Sequence, residues 1–386
     1  MRIAINGYFL QQPATGSGQH LYYLLEGLDT VDESNQYLVL YPRLRGGQIV
    51  RTPHLGSQFR IKVVRGAAER LGPRFGKLWW EQIAIRSACL EEQVDLLHSP
   101  YFASPLRPNV PTVVTIHDVI PLVLPRYGRA PHVRAYNRLV SAAARRAEAV
   151  ITVSETSKAD IVRTLEIPPD RIHVIYNATD RCLGPVCDDA ALEGIRDSYG
   201  IAGEFILYFG GFDERKNVER IVRAFQVARA AFDRPCQLVL AGSLSFVGQH
   251  PLYPDPRPLI EKLGLSDHVI LTGRISEEEK PLLFSAATAF VFPSLYEGFG
   301  IPVLEAMACG APVVTSDSSS LPEVVGDAAL LVDPTSVEAI AEAMTRLVND
   351  ATLRENLRGR GFERVRRFSW EASALKTLEV YRQVVA

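Results

Sequence analysis

The sequence is poor in the features that mark several common classes of protein. Its 386 residues contain only five cysteines, with no Cys-x-x-Cys pair and no accompanying cluster of histidines. This pattern argues against a disulfide framework or a zinc site, so we expect reduced thiols. No uninterrupted apolar run approaches the ~20 residues that a membrane-spanning helix needs, and no leader-like apolar stretch follows residue 7. We therefore expect a cytoplasmic protein.

The charge balance and the placement of carboxylates argue against two further classes. The 42 basic and 44 acidic side chains give a formal net charge of −2, whereas nucleic-acid binders normally carry a basic excess. We therefore expect no nucleic-acid partner. No Asp-x-Asp pair follows a strand-like run, which argues against a site where carboxylates hold a divalent metal. The sequence predicts neither a metal nor another cofactor.

Short apolar runs alternate with amphipathic stretches along the whole chain. Runs of this kind are typical of strands buried on both faces, and their alternation with helices predicts parallel sheets covered by helices. The amphipathic stretches include 20–28, 78–91 and 135–146. The predicted strands are 2–6, 37–40, 59–64, 95–98, 112–116 and 149–153, followed by 205–209, 237–241, 269–272, 289–292, 312–315 and 329–332.

A segment rich in Gly, Pro and Asp at 177–203 divides the strands into two sets of six, and we expect a further strand to end at 177–180. The fold class that follows is α/β, with two Rossmann-like, doubly wound domains and a cleft between them. We place the first domain at 1–180 and the second at 181–368. Ligands of such folds bind at the carboxyl ends of the strands.

The most informative segment follows a predicted strand and reads PSLYEGFGIPVLEA, at 293–306. Its glycines allow a tight turn close to a ligand, and its second proline suits the first turn of a helix. Glu297 and Glu305 flank this turn, and carboxylates accept hydrogen bonds from sugar hydroxyls. A helix N-terminus of this kind suits a diphosphate. The backbone amides that it would offer are those of Phe299, Gly300 and Ile301.

This segment resembles the Glu-x7-Glu motif of family 4 of the glycosyltransferases, which are retaining enzymes with the GT-B fold. The resemblance implies that Glu297 contacts hydroxyls of the donor sugar and that Glu305 binds the nucleotide ribose. It also implies that the last segment, 369–386, is a helix that crosses back to the first domain. The chain is most similar to bacterial mannosyltransferases of polysaccharide assembly.

A second segment, YFGGFDERKN at 208–217, resembles the glycine-then-basic loop of the same family. A cation on a loop at a strand end can neutralise a leaving diphosphate. The resemblance implies that Lys216 contacts the donor phosphates, with Arg215 beside it. The common form of this motif carries an arginine where Gly211 stands, so Arg215 is expected to substitute for it.

Three places outside these two segments complete the predicted site. Gly16 and Gly18 precede an amphipathic stretch, and the resemblance places this loop near the donor phosphates and the acceptor. The loop lacks the third glycine of a dinucleotide fingerprint, which argues against an NAD enzyme. His117 follows a strand and, by resemblance, lies beside the donor sugar; a satisfied core histidine is the alternative. Arg274 belongs to the loop where the nucleobase packs in this family.

The residues and the resemblance together predict a retaining glycosyltransferase. It would move a hexose from a nucleotide-sugar donor to a glycan or a lipid-linked oligosaccharide acceptor, with basic side chains stabilising the departing nucleotide. GDP-mannose is the first choice of donor, followed by UDP- and dTDP-sugars. Two alternatives keep the same fold: a non-catalytic sugar-nucleotide-binding subunit and a sugar-nucleotide epimerase.

One stretch of the first domain bears on membranes. Residues 119–147 contain no acidic side chain. A basic helical face of this kind would attract anionic lipid and give a peripheral contact with the inner face of a membrane; a solvated face is the alternative. The arginines of the stretch are Arg126, Arg129, Arg134, Arg138, Arg145 and Arg146.

Overall fold

A computed structural model of the chain describes residues 1–13, 15–42, 52–64 and 73–386. They form two compact units. Unit 1 comprises Met1–Asn177 together with Ser369–Ala386, and unit 2 comprises Ala178–Phe368. Among the described residues, no helix is both long and apolar enough to span a bilayer.

Unit 1 contains a seven-stranded sheet in which every strand pair is parallel. Its strand order is β3-β2-β1-β4-β5-β6-β7. The six predicted strands are present, with ends within two residues of the prediction. The strand expected to end at 177–180 ends earlier, at Val174. The strands are β1 (Arg2–Asn6), β2 (Gln36–Pro42), β3 (Phe59–Val64), β4 (Leu96–Ser99), β5 (Thr112–Ile116), β6 (Ala149–Thr152) and β7 (Ile172–Val174).

Helices cover both faces of this sheet. The amphipathic stretch predicted at 78–91 is interrupted by a π-helical turn at Trp80–Ala84, a feature that inserts one extra residue into a helix. The helices are α1 (Gly16–Val31), α2 (Pro73–Trp79), α3 (Ile85–Glu91), α4 (Ile120–Val123), α5 (Pro131–Ala144) and α6 (Glu155–Leu165), and from the end of the chain α15 (Trp370–Val385).

The alternation of side chains along β1 explains why its sequence is apolar throughout. Ile3 and Ile5 point to the core cluster that α1 and α15 complete, and Ala4 belongs to the opposite cluster around Trp80. Successive strand residues face opposite sides of a sheet, so a strand covered on both sides is apolar at every position. The expectation that the last helix returns to the first domain is confirmed by this packing.

Unit 2 contains a six-stranded parallel sheet of order β10-β9-β8-β11-β12-β13. All six predicted strands are present here too. The strands are β8 (Glu204–Phe209), β9 (Cys236–Ala241), β10 (Val269–Gly273), β11 (Ala289–Phe292), β12 (Val313–Ser316) and β13 (Ala329–Val332). The helices are α7 (Asp189–Tyr199), α8 (Val218–Ala228), α9 (Arg257–Lys262), α10 (Glu279–Ala286), α11 (Ile301–Ala308), α12 (Leu321–Val325), α13 (Val337–Asn349) and α14 (Ala351–Val365).

The direction in which strands are added reverses between β8 and β11 in unit 2. Strands β9 and β10 lie on one side of β8, and β12 and β13 lie beyond β11 on the other. The connections that leave β8 and β11 therefore diverge, and a crevice opens between them at the carboxyl ends of the two strands. The chain segments that follow β8 and β11 are the two that the sequence marked for donor binding.

Candidate functional site

The two marked loops of unit 2 meet because their strands are neighbours. Residues of β11 pair directly with β8, Phe290 with Leu207 for example. The loop after β8 contains a 3₁₀ turn at Glu214–Lys216, and the loop after β11 carries Glu297. Side chains that lie 81 positions apart in sequence therefore reach each other at one edge of the sheet.

Lys216, Arg215 and Glu297 form one ion cluster. The Lys216 Nζ atom lies 2.6 Å from Glu297 Oε1, and Arg215 Nη1 lies 2.9 Å from the same oxygen. Arg215 Nη1 also donates to the Tyr296 carbonyl, at 3.0 Å. The sequence assigned separate ligands to these side chains and did not predict that they pair with one another.

The electrostatics of this cluster hold Glu297 in its ionised form. Burial leaves only 7% of the residue exposed and raises its pKa, but Lys216 and then Arg215 outweigh that effect, so the pKa lies below its ordinary value. Burial lowers the pKa of Lys216, with Glu297 acting against the decrease. The Lys216 ammonium also stands 4.6 Å from the centre of the Phe292 ring, within the range of a cation–π contact. Glu297 is therefore a hydrogen-bond acceptor only.

The backbone around Glu297 is held by a serine loop that follows β12. The Glu297 amide donates to Ser319 Oγ at 2.9 Å, and Ser320 Oγ lies 2.9 Å from the Glu297 carbonyl oxygen. The following turn depends on Gly300, which has φ +102° and is the N-cap of α11. A side chain there would be strained at that φ, and its Cβ would lie 2.7 Å from Leu321 Cδ2. Ile301 then begins the helix.

Glu305 has a separate basic partner, which the sequence analysis missed. Its Oε1 atom lies 3.0 Å from Lys280 Nζ, and the two residues are 5% and 3% exposed. Lys280 Nζ also lies 2.7 Å from the exposed Glu277. Burial raises the pKa of Glu305, and Lys280 opposes that increase. The sequence did contain a sign that Lys280 is buried. It precedes the apolar Leu283 and Phe284 by three and four residues, which places all three on one helix face.

The remaining predicted donor residues of unit 2 lie in loops at the same edge of the sheet. Gly211 follows β8, and a Cβ added there would meet nothing within 4 Å. The position therefore has room for the Cβ atom that the arginine of the common motif would add. Arg274 follows β10 directly and is exposed, and it forms no ion pair with any residue in the described ranges.

The two predicted glycines of unit 1 lie inside a helix and not in a loop before it. Thr15 is the N-cap of α1, so Gly16 is its first residue and Gly18 its third. The Gly18 amide donates to Thr15 Oγ1 at 3.1 Å. A Cβ at Gly18 would lie 2.1 Å from the Gln12 carbonyl oxygen, whereas one at Gly16 would meet nothing within 4 Å. Close packing of the preceding turn therefore requires Gly18 but not Gly16.

His117 lies at the carboxyl end of β5 within a group of three histidines. Its ring is 4.6 Å from that of His20, and its Nε2 lies 3.2 Å from the Pro100 carbonyl oxygen, to which it donates. Burial is the main cause that lowers the pKa of His117 to about 4 and those of His20 and His98 to about 3. All three imidazoles are therefore neutral at pH 7. With Nε2 as donor, His117 Nδ1 is a hydrogen-bond acceptor.

Two family models together match most of the chain. The model described as Glycosyltransferase Family 4 matches residues 14–181, and the one described as Glycosyl transferases group 1 matches residues 195–364. O-antigen chain mannosyltransferase B of Escherichia coli is 33% identical over 288 residues, which are 74% of each chain. The chain belongs to glycosyltransferase family 4. It is therefore an enzyme of the glycosyltransferase class.

Further relatives and solved structures agree with this assignment. The serotype-specific mannosyltransferase WbdA of Escherichia coli is 30% identical over 72% of this chain but only 34% of its own, longer chain. Sucrose-phosphate synthase from Thermosynechococcus elongatus has a TM-score of 0.77 and 25% identity, covering 100% of this chain and 99% of that one. The lipopolysaccharide glycosyltransferase WaaG has a TM-score of 0.70 and 16% identity, covering 98% and 99%. The glycosyltransferase has the GT-B fold.

We expect Lys280→Met to destabilise unit 2 of the glycosyltransferase. The change leaves the Glu305 carboxylate buried without its cation, which costs about 3–5 kcal/mol in comparable buried pairs. The measurement is urea denaturation at pH 7, followed by far-UV circular dichroism. Lys262→Met, on the exposed surface of α9, is the control. Recovery of stability in Lys280→Met/Glu305→Gln would confirm the pairing, whereas equal denaturation midpoints for Lys280→Met and Lys262→Met would contradict it.

We also expect unit 1 to lose stability as the pH falls from about 6.5 towards 4. The unfolded chain takes up protons on His20, His98 and His117 in this window, whereas the folded chain does not until about pH 4 for His117 and about pH 3 for the others. Each such histidine contributes a slope of up to about 1.4 kcal/mol per pH unit.

Tryptophan fluorescence during urea denaturation reports this change selectively, because all three tryptophans belong to unit 1. His117→Gln removes one titrating group, so its free energy of unfolding should depend less steeply on pH than that of the parent protein. Parallel pH dependences for the two proteins would show that His117 is protonated equally in the folded and unfolded states, against the expectation.

Proposed function

We propose that the enzyme transfers a hexose from a nucleotide-sugar donor to a glycan or lipid-linked acceptor with retention of anomeric configuration. The observation that carries the proposal is the cluster of Lys216, Arg215 and Glu297 at the point where the strand order of unit 2 reverses. Two cations around one carboxylate offer a diphosphate two positive partners and a sugar one hydrogen-bond acceptor.

The donor diphosphate binds by replacing Glu297 as the partner of Lys216 and Arg215. The bond between the sugar and the terminal phosphate then breaks, and negative charge grows on the phosphate oxygens. The two cations and the amides around Gly300 stabilise that charge, because groups that the fold holds in place need not reorganise as the bond breaks. Glu297, released from the cations, accepts hydrogen bonds from hydroxyls of the donor sugar.

The other donor contacts follow from the same unit. Glu305, fixed by Lys280, accepts hydrogen bonds from the two ribose hydroxyls. The loops at Gly211 and Arg274 border the diphosphate and the nucleobase. His117 of unit 1 is neutral and contacts a hydroxyl of the donor sugar through Nδ1. Each of these groups thus contacts a part of the donor that complements its charge or its hydrogen-bonding capacity.

The lowered pKa of Glu297 supports a retaining transfer in which a phosphate oxygen, and not Glu297, acts as the base. A general base works best with a pKa near the operating pH, whereas Lys216 and Arg215 hold the pKa of this carboxyl below its ordinary value. Glu297 is therefore a poor base for the acceptor hydroxyl. An oxygen of the departing phosphate takes that proton while the acceptor attacks from the face that the nucleotide leaves.

Mannose from GDP-mannose is the donor sugar that we propose first, with UDP- and dTDP-sugars next. The support is that several relatives at 30–33% identity are named mannosyltransferases. One of them, the MMP alpha-(1->4)-mannosyltransferase of Mycolicibacterium hassiacum, is 32% identical over 72% of this chain and 66% of its own. We also propose that the arginine-rich stretch at 126–146 gives the enzyme a peripheral contact with anionic membrane lipid.

Transfer is expected to depend on the cations and on Glu297. Lys216→Ala and Glu297→Gln should each lower kcat/KM at least about 100-fold, as the loss of one group that stabilises the transition state typically does. Glu261→Gln, an exposed acid of unit 2, is the matched control. The assay measures release of the nucleoside diphosphate in the presence of a mannoside acceptor, and proton NMR of the product gives the anomeric configuration.

Two results would overturn this proposal. Inversion in the product would contradict retention, and full activity in Glu297→Gln would remove Glu297 from the site. Binding of a sugar nucleotide without turnover, over a panel of GDP-, UDP- and dTDP-sugars and glycan acceptors, would instead favour a non-catalytic sugar-nucleotide-binding subunit.

Transfer is expected to need no divalent metal, because Lys216 and Arg215 supply the positive charge at the diphosphate. Within the described residues, no group of three or more His, Cys, Asp or Glu side chains is arranged to hold a metal ion. We expect initial rates in EDTA to equal those in buffer with Mg²⁺ or Mn²⁺. A rate that falls in EDTA and recovers on addition of Mn²⁺ would contradict this expectation.

A further inference from the structure

An open cavity of about 740 Å³ lies on the surface of unit 1, and none of the proposed donor-site residues lines it. Its walls are α4, the 3₁₀ turn at Pro125–Gly128, α5 and the end of α6, where Thr164 lies. None of the described residues that line it is acidic. The charged side chains around it are Arg129, Arg134, Arg138 and Arg145.

The helical repeat explains why the arginines converge. Arg134 and Arg138 lie four residues apart on α5, and Arg145, the C-cap of the helix, follows seven residues after Arg138. Positions at these spacings share one face of a helix. Like charges one turn apart destabilise a helix unless they are neutralised. Arg129, Arg134 and Arg138 form no ion pair with any residue in the described ranges of the chain. The cavity therefore has a concentrated positive charge that these residues leave uncompensated.

Several features distinguish this cavity from a diffuse basic surface. Asn137 and Ser141 line its wall, with only 9% and 6% of their surface exposed, and both carry hydrogen-bond donors. The Arg145 side chain is fixed, because its Nε donates to the Leu165 carbonyl at 2.8 Å. A Cβ at Gly128 would lie 2.5 Å from the Pro121 carbonyl oxygen, so the turn packs directly against α4.

We propose that this cavity binds a phosphoryl group through the guanidinium groups of Arg134 and Arg138. Planar guanidinium groups pair with two phosphate oxygens at once, which an ammonium group does not do. The phosphoryl group comes either from a lipid headgroup or from a phosphate ester or pyrophosphate in solution. The inference deepens the proposed membrane contact, because it replaces a general attraction with a defined site. It does not rest on the donor chemistry of unit 2.

The first probe is inorganic pyrophosphate, titrated by calorimetry at constant ionic strength. Every protein carries Lys216→Ala, which weakens the proposed donor site equally in all of them, so that a difference between variants reports on the cavity of unit 1. The test variant is Arg134→Lys/Arg138→Lys, which keeps the charge but loses the paired hydrogen bonds. Arg163→Lys, on α6 and outside the cavity lining, is the control. We expect the test variant to bind at least about tenfold more weakly and the control to bind unchanged.

The second probe separates the two sources. Vesicles of phosphatidylcholine, with and without phosphatidylglycerol, are sedimented with the same proteins. Cosedimentation that needs phosphatidylglycerol, weakens in Arg134→Lys/Arg138→Lys and is competed by pyrophosphate identifies a lipid headgroup as the ligand. Pyrophosphate binding without any cosedimentation identifies a soluble phosphate ester or pyrophosphate.

Two outcomes would overturn the proposal. One is that neither pyrophosphate nor the anionic vesicles bind. The other is that the test variant binds both probes as well as the control does, which would show a diffuse basic surface with no phosphoryl site. Both variants keep every charge and lie at exposed positions, so a failure to fold is not expected to obscure the result. A circular dichroism spectrum of each variant checks this.

Discussion

The buried carboxylate of Glu297 and its two cations form the interaction on which the donor site depends. A lone buried carboxylate is strongly disfavoured, and its pairing with Lys216 and Arg215 removes that penalty. The pairing is available only because β8 and β11 are adjacent and parallel, so that the loops after both strands start at the same edge of the sheet. The ion cluster therefore requires both the parallel arrangement of β8 and β11 and the opposite charges on the two loops that follow them.

In unit 2, Glu297 and Glu305 form ion pairs with different basic side chains. Glu297 is shared between two cations from the loop after β8, whereas Glu305 is bound by Lys280 from a neighbouring helix. Two carboxylates that do not compete for one cation can hold different parts of a ligand. The serine loop at Ser319 and Ser320 fixes the backbone between them, and Gly300 provides the turn that starts α11.

The fold could be predicted from the sequence because strands covered on both faces are apolar at every position. The end of the short strand β7 was placed too late, at 177–180, since the strand spans only three residues and includes the polar His173. The start of α1 was placed too late because glycine is a poor helix former, which made Gly16 and Gly18 look like a loop. The N-cap Thr15 was the signal for the true start.

The residues of the donor site could be named from motifs, but the sequence could not predict which of them pair with one another. Lys216 and Glu297 are 81 positions apart, and only the strand order brings them together. Lys280 was missed because it follows three glutamates and so resembled a solvated charge run, although its helical spacing matches buried Leu283 and Phe284. Periodicity reveals which face a residue lies on, whereas a partner on another element requires the three-dimensional structure.

The central claim is that a donor diphosphate displaces Glu297 from Lys216 and Arg215. The most direct measurement is the calorimetric affinity of Glu297→Gln and of the parent protein for one nucleoside diphosphate, the one among GDP, UDP and dTDP that binds the parent best. Glu297 competes with the diphosphate for the same cations, so the account predicts that Glu297→Gln binds it at least as tightly as the parent. Weaker binding by Glu297→Gln would contradict the claim, because it would show that the carboxylate supports the diphosphate and does not give way to it.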